Sequence, residues 1–180
     1  MNSPYVLGLA RSVAHHFSKL PADHLRLIEG IGVEGDAHSG ETVQHLSRVK
    51  QDPTQPNLRQ VHLIHGELLD ELAEHGYVLA PGALGENVTT RGLDLLDLAQ
   101  DTRLRIGETV IRVTGLRNPC RQIDEFMPGL LKHMVQKRPD GTLNRKCGVM
   151  AVVERGGEIA VGAEIVVEPP EGPPRRLEPV

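Results

Sequence analysis

The sequence lacks several features that mark specialised protein classes. It has no tryptophan, two tyrosines and two phenylalanines, which is too few aromatic side chains for a surface that stacks nucleic-acid bases. Its two cysteines, Cys120 and Cys147, cannot supply the disulfide framework of a small secreted domain. We therefore expect a protein of a reducing cytoplasm.

Charge and hydropathy exclude two further classes. The net charge is −4, from 20 basic and 24 acidic residues, so the chain lacks the basic surplus that neutralises nucleic-acid phosphates. No apolar run approaches the ~20 residues of a membrane-spanning helix, and residues 1–4 do not resemble a secretory signal. The expected partners include neither nucleic acid nor membrane.

The composition that remains is that of one folded domain. A chain of 180 residues with 39% hydrophobic content can bury a core without disulfide or metal support. We expect a single domain over residues 1–167 and a proline-rich C-terminal tail over residues 168–180, which cannot extend a central strand.

Short apolar runs between glycine-rich turns indicate a β-barrel-like or mixed, β-rich fold with few helices. One helix is predicted from Glu67 to His75, and two short ones after Cys120, divided by Pro128-Gly129. Residues 149–153 and 159–167 are predicted to pair as a hairpin across Gly156-Gly157. Residues 37–57 are predicted to form a long loop, and further strands are predicted at 5–10, 25–28, 59–64, 86–90, 104–106 and 110–114.

The segment around Cys120 carries the clearest chemistry. It follows a predicted strand and precedes a predicted helix, and Arg117 and Arg121 flank the cysteine. A helix N-terminus and nearby cations favour the thiolate, which could serve as a nucleophile, a persulfide carrier or a soft metal ligand. A buried structural cysteine is the alternative. Cys147 precedes an apolar strand and is interpreted as a packing residue.

Other candidate sites have weaker patterns. Asp36 and His38 follow a glycine cluster, and His45, His62 and His65 come later, so we consider a zinc site. His62 and His65 are three residues apart across a strand end, and their side chains should not share a face. No His-Glu-x-x-His or Cys-x-x-Cys motif is present to indicate zinc. The Gly82-x-x-Gly85 turn lacks the lysine of a nucleotide phosphate loop.

Four stretches, in this order, resemble the MOSC domain, the family named for the C-terminal region of molybdenum cofactor sulfurases. They span residues 30–167, so the resemblance covers most of the chain. The stretches are GVEGDAHSG at 32–40, PGALGENVT at 81–89, NPC at 118–120, and GVMAVV at 148–153 followed by Gly156, Gly157, Ile159 and Gly162.

The resemblance implies a β-barrel-like fold similar to the barrel domain of pyruvate kinase. It also implies a molybdenum cofactor, a pterin dithiolene that carries the metal, with Cys120 as the protein ligand to molybdenum and as the catalytic residue. The matching stretches assign cofactor binding to Asp36, His38, Glu86, Asn87, Arg117 and Arg121. Glycine-rich backbone and nearby arginines are suited to the cofactor's pterin edge and phosphate.

The chain departs from larger family members in ways that affect its expected partners. It has no pyridoxal-phosphate desulfurase domain, so no pyridoxal-phosphate site is expected, and it lacks the four cysteines of an iron–sulfur cluster. The expected activity is reduction of a small N-hydroxylated substrate with an external electron donor. The alternative is a sulfur carrier or cofactor-delivery module that carries a Cys120 persulfide for a desulfurase or molybdoenzyme partner. A third possibility is a non-catalytic domain with an inert Cys120.

Overall fold

The structure is a computed structural model that describes residues 3–180. Its helices are α1 (Leu46–Val49), α2 (Gly66–Glu74), α3 (Gln122–Phe126) and α4 (Leu131–Met134), with one 3-10 turn at Leu95–Asp97. Its strands are β1 (Tyr5–Arg11), β2 (Leu20–Ala22), β3 (His24–Ile28), β4 (Gly32–Val33), β5 (Val61–His65), β6 (Val88–Arg91), β7 (Arg103–Ile106), β8 (Thr109–Leu116), β9 (Val135–Lys137), β10 (Leu143–Arg145), β11 (Val149–Arg155), β12 (Gly157–Ala160) and β13 (Val166–Glu168).

Eight strands form one sheet that curls into a half-barrel, in the order β13-β7-β8-β11-β5-β6-β1-β2. The β5–β6 pair is parallel, with α2 as its crossover connection, and the other neighbours are antiparallel. A three-stranded sheet, β12-β3-β4, and a separate β9–β10 hairpin complete the fold. The expected β-rich fold with few short helices is confirmed. Within residues 3–180 no helix has both the length and the apolar character needed to cross a membrane.

Alternation along β5 and β11 divides the molecule into two interiors. Val61 and Leu63 face the main core inside the curled sheet, together with Val149 and Ala151 of β11. The intervening residues face the opposite side, because successive side chains of a strand alternate between faces. There Ile64 packs in a second cluster with residues of α2, α3 and α4, and this same face carries the candidate site.

Several predicted elements are confirmed with small shifts in their ends. The predicted helix at 67–75 is α2, which buries Leu68, Leu69 and Leu72. The helices predicted on either side of Pro128-Gly129 are α3 and α4. The predicted long loop over 37–57 contains one helical turn, α1.

The predicted hairpin across Gly156-Gly157 is wrong. Strand β11 pairs with β5 and β8, whereas β12 pairs with β3 and β13 pairs with β7. At Gly156 the chain leaves the large sheet for the small one, and a Cβ atom there would lie 2.7 Å from the carbonyl oxygen of Leu27. The glycine pair therefore permits a close crossing between sheets, which local sequence cannot distinguish from a hairpin turn.

The proline-rich tail returns to the domain after β13. Leu177 is buried in the main core. The backbone N–H of Leu116 donates to the carbonyl of Glu178, and that of Val180 donates to the carbonyl of Leu116. The end of the tail thus lies against the last residue of β8.

Candidate functional site

A cavity of about 900 Å³ opens on the face of the sheet opposite the main core. His62 of β5 and Met150 of β11, which are paired in register, line its floor. The loop that contains α1 and the segment from Arg117 to Glu125 line its sides. Residues 15–17 and Lys19 also line it. Strand alternation therefore positions the floor, and segments from several parts of the chain form the walls.

Cys120 lies on the wall of this cavity, partly exposed, two residues before α3. Its Sγ contacts the Gln122 side-chain oxygen at 3.6 Å. Arg117 also lines the cavity and donates from Nη1 to the carbonyl of Leu84 at 2.9 Å. Arg121 lines the outer part of the cavity, largely exposed, and lies 3.4 Å from the Glu125 carboxylate.

Asp36 is a buried carboxylate just behind the cavity wall. It accepts hydrogen bonds from the backbone N–H groups of Ser12 and His38, from Lys19 Nζ at 2.8 Å and from Asn87 Nδ2 at 3.0 Å. Burial acts to raise the pKa of Asp36, but the hydrogen bond with the His38 side chain and the charge of Lys19 outweigh it. The pKa therefore lies below its usual range, and Asp36 is ionised.

Lys19 provides the positive charge that pairs with the Asp36 carboxylate. Its side chain is 2% exposed and that of Asp36 is not exposed. Burial lowers the pKa of Lys19, and the Asp36 carboxylate opposes this shift. Among residues 3–180, Asp36 is the only hydrogen-bond acceptor of the Lys19 ammonium, so the two remaining N–H groups have no protein partner. Lys19 is also one of the residues that line the cavity.

Two further polar groups at the cavity are buried without partners. Nε2 of His45 and Nε of Arg59 have no hydrogen-bond partner in the part of the chain described here. Burial and the nearby Arg59 charge lower the pKa of His45 to about 2, so its ring is neutral. Burial lowers the pKa of Arg59 to about 10, which leaves the guanidinium charged at neutral pH.

Cationic side chains dominate the cavity although the whole chain is acidic. Within residues 3–180, Glu125 is the one carboxylate among the lining residues, and it pairs with Arg121. A concentration of one sign of charge in a concave site attracts ligands of the opposite sign. The cavity is therefore suited to an anion. Its lining cations are Lys19, Arg48, Lys50, Arg59, Arg117 and Arg121.

The structure brings five of the seven proposed site residues to this cavity, namely His38, Asn87, Arg117, Cys120 and Arg121. Asp36 does not line the cavity itself, but it accepts hydrogen bonds from His38 and Asn87, which do. The Asn87 side chain is committed to internal bonds: Nδ2 donates to Asp36 and to the Ala10 carbonyl, and Oδ1 accepts from the His62 backbone. It positions neighbouring groups and has no donor left for a ligand.

Glu86 lies elsewhere. It is fully buried and accepts hydrogen bonds from the backbone N–H groups of Gly82 and Leu84 and from the Thr89 hydroxyl. Burial raises the pKa of Glu86. Glu86 is not among the cavity residues, and its contacts hold the 81–89 turn together.

The sequence did not identify Lys19, His45 or Arg59 as site residues. They lie far apart in the chain on turn-rich segments without a motif, and the fold brings them to one cavity. The available signal was the concentration of basic residues and histidines in the polar segments 11–23 and 37–59. Cys147, by contrast, is buried as expected, and burial raises the pKa of its thiol to about 12.

A family model for the MOSC domain matches residues 28–166. The chain belongs to the MOSC domain family. MOSC domains are generally linked to binding of the molybdenum cofactor, and the matched region includes most of the cavity described above. No protein of established, curated function matches the chain.

Solved structures of small MOSC proteins share the fold. YuaD from Bacillus subtilis superposes with a TM-score of 0.74 at 26% identity, over 92% of this chain and 96% of that one. YiiM from Escherichia coli gives 0.65 at 19% identity, over 97% and 74% of the two chains. YiiM from Geobacillus stearothermophilus gives 0.64 at 18% identity, over 92% and 75%. At such identities the two YiiM structures show the fold alone.

Proposed function

We propose that this MOSC domain holds the molybdenum cofactor in the cationic cavity and reduces small N-hydroxylated compounds with electrons from an external donor. The observation that supports this most directly is the cavity itself. It combines one partly exposed cysteine with buried cationic and polar groups that lack protein partners. Buried polar groups without partners are uncommon in folded proteins and call for a ligand or ordered water.

The residues present fit the cofactor. Its phosphate is anionic, and arginine guanidinium groups bind phosphate oxygens through paired hydrogen bonds. Arg59 and Lys19 would hold this anionic part, with Arg117 beside them. The cofactor would bring sulfur ligands of its own to the metal. Cys120 would add one soft ligand.

When bound, the cofactor would supply a two-electron centre at which the oxygen of an N-hydroxyl group is released as water. The chain's own residues would bind and orient. Lys19 would donate its remaining N–H groups to the bound anion, and the Asp36 carboxylate would partly offset the burial that lowers the pKa of Lys19. His45, neutral at ordinary pH, would present Nε2 as a hydrogen-bond donor or acceptor according to its tautomer.

Metal analysis tests this proposal. The protein is purified from a host that makes the cofactor, and molybdenum per chain is measured in the parent, in Cys120→Ser and in Cys147→Ala. We expect metal in the parent and in Cys147→Ala, because Cys147 is buried outside the cavity, and a large loss in Cys120→Ser. The parent should also oxidise a reduced viologen dye when an amidoxime is added.

Two results would contradict the proposal. One is a metal-free parent from cells in which a control molybdoenzyme is loaded. The other is a loaded protein that retains its molybdenum fully in Cys120→Ser, because the thiolate would then not be a ligand.

A sulfur-carrier role is the second candidate, and the partial exposure of Cys120 favours it. The Sγ atom has the single contact with Gln122 among the described hydrogen bonds, so another protein could reach it. Incubation with a cysteine desulfurase and cysteine would then add about 32 Da to Cys120 as a persulfide. Unmodified Cys120, in a protein that binds molybdenum, would exclude this role.

A further inference from the structure

A second cleft lies on the other side of the end of β8. Its volume is about 500 Å³. Its walls are the 3-10 turn at Leu95–Asp97 with the residues that follow, the β9–β10 hairpin, and residues 174–179 of the tail. Leu116 lines this cleft and the next residue, Arg117, lines the cavity with Cys120. The two concave sites are therefore adjacent and share no lining residue.

Arginine is the main charged residue of this second cleft, which we call the arginine cleft. Arg138, Arg145, Arg175 and Arg176 line it, together with the exposed carboxylates of Asp97 and Glu178. Arg175 pairs with Asp101 outside the cleft. Within residues 3–180, the other three arginines form no ion pair with a carboxylate.

Arg145 is the most informative of these residues. It is half-buried in β10, and no hydrogen bond from its guanidinium is found in the described part of the chain. Arg138 makes one bond, from Nη2 to the Asn144 side chain at 3.2 Å. Hydrogen bonds with Thr142 are the main cause of the lowered pKa of Asp140, and the charges of Arg138 and Arg176 lower it further. Arg138 and Arg145 reach the cleft from the hairpin, and Arg176 reaches it from the tail.

The remaining lining of the arginine cleft is substantially apolar. Leu96 and Leu98 pack partly buried against the main core, as does Leu116. Leu143, in contrast, is 45% exposed on the hairpin. A ligand that fits this cleft combines negative charge with an apolar or ring-containing part, and a volume of this size suits a small organic molecule.

We propose that the arginine cleft binds a phosphorylated small molecule of about the size of a nucleoside diphosphate. A diphosphate places two or more negative charges at one end, which matches three guanidinium groups that form no ion pair within residues 3–180 better than a single carboxylate does. Guanidinium groups bind phosphate oxygens in a paired, planar geometry. The apolar wall would contact the organic part. This site is independent of the proposed function, because it uses none of the residues that line the Cys120 cavity.

Isothermal titration calorimetry with two probes tests the proposal. The probes are ADP, which has an organic part, and inorganic pyrophosphate, which has only the shared anionic group. They are titrated into the parent, into Arg145→Gln/Arg176→Gln, and into Arg155→Gln, a matched control with an exposed arginine outside both clefts. Arg59→Gln is included because the Cys120 cavity also attracts anions.

We expect the parent and Arg155→Gln to bind at least ADP, and the double variant to bind it at least about tenfold more weakly, as the loss of charge-assisted hydrogen bonds requires. Arg59→Gln should leave this binding unchanged. Binding of both probes supports recognition of the phosphate groups, and binding of ADP alone supports recognition that also needs the organic part. If the double variant melts earlier than the parent, the exposed Arg176→Gln alone serves, with a smaller expected loss.

Three outcomes would overturn the proposal. Neither probe binds below about 1 mM, the double variant binds as tightly as the parent, or Arg59→Gln abolishes the binding. The last result would place the anion in the Cys120 cavity and would leave the arginine cleft without a ligand. Molybdenum content is measured on the same samples, so a failure of this proposal is distinguishable from a failure of the proposed function.

Discussion

The Lys19–Asp36 ion pair supports the wall of the Cys120 cavity, and its removal gives a graded prediction. The pair has an Nζ–Oδ2 distance of 2.8 Å, and both side chains are almost fully buried. Removing one partner of a buried ion pair typically costs about 3–5 kcal/mol, since a charge remains buried without compensation. Asp36 has other hydrogen-bond donors besides Lys19, whereas Asp36 is the one acceptor found for Lys19 within residues 3–180. The two single variants should therefore lose different amounts of stability.

Asp36→Asn should be the more damaging change. In this variant the Lys19 ammonium loses its compensating carboxylate charge, and an amide NH2 group replaces one of the two oxygens that accept N–H donors. We expect the free energy of unfolding to fall by about 3 kcal/mol, at the lower end of the usual range because the cavity gives water access to the ammonium. In Lys19→Met, Asp36 keeps its N–H donors from the Ser12 and His38 backbones and the Asn87 side chain, and it keeps its contact with the His38 ring. We therefore expect a loss of about 1–2 kcal/mol.

Urea unfolding at pH 7 measures both variants and the double variant Lys19→Met/Asp36→Asn. The double variant should lose less than the sum of the two single losses, by at least about 1 kcal/mol, since each single variant already breaks the same contact. Lys132→Met is the matched control, because this exposed lysine forms no ion pair within residues 3–180. It should change the stability by no more than about 0.5 kcal/mol.

The reasoning is refuted if Asp36→Asn costs under about 1 kcal/mol, or if the two single losses add fully in the double variant. Either result would mean that the pair is solvated or not formed. A larger loss in Lys19→Met than in Asp36→Asn would contradict the assigned hydrogen bonds.

Three further predictions concern backbone, thiols and acid. Gly148→Ala should lower the free energy of unfolding by at least about 2 kcal/mol more than Gly141→Ala. Both glycines have positive φ, but only at position 148 would a Cβ atom meet a backbone atom, the Leu63 carbonyl oxygen at 2.0 Å. Equal losses in urea unfolding would contradict this close approach. Iodoacetamide at neutral pH should alkylate Cys120 well before Cys147. The pKa of Cys147 is about 12, which leaves roughly a thousandfold less thiolate than in an ordinary thiol. Peptide mass spectrometry gives the order of labelling, and early labelling of Cys147 would contradict its buried position. The folded-state pKa of Asp36 is depressed, so its contribution to stability is complete above the unfolded-state pKa of about 3.9 and is lost as the pH falls below that value. In Asp36→Asn the free energy of unfolding should therefore fall less steeply with decreasing pH in this range. An unchanged pH dependence would argue against the lowered pKa of Asp36.

Local patterns were sufficient for most elements of this fold. The apolar spacing of α2, the Pro128-Gly129 break between α3 and α4, and the alternating residues of β7 and β8 are each local features of the sequence. The β9–β10 hairpin was missed, because its strands have three residues each and largely polar faces. The pairing at Gly156 was wrong for a different reason. Strand partners are chosen by sheet packing between distant segments, and a glycine pair suits both a turn and a close crossing.

The candidate site divides in a similar way. Cys120 and its flanking arginines could be proposed because they share one short segment between a strand and a helix. Glu86 shares a motif with Asn87, yet the turn directs its carboxylate inward to backbone N–H groups of the same turn. Only the folded chain distinguishes a carboxylate that closes a turn from one that faces a ligand.

The sequence by itself determined the family, the β-rich class and the residue at the centre of the proposed chemistry. These depend on residue types in fixed order, and such order is a property of the chain alone. The tertiary structure decided which charges meet. Lys19, His45 and Arg59 reach one cavity, and Arg138, Arg145 and Arg176 reach another, through strand pairings between segments far apart in sequence. Burial, desolvation and the pairing of Lys19 with Asp36 arise from that assembly, since each requires the packed neighbours that exclude water.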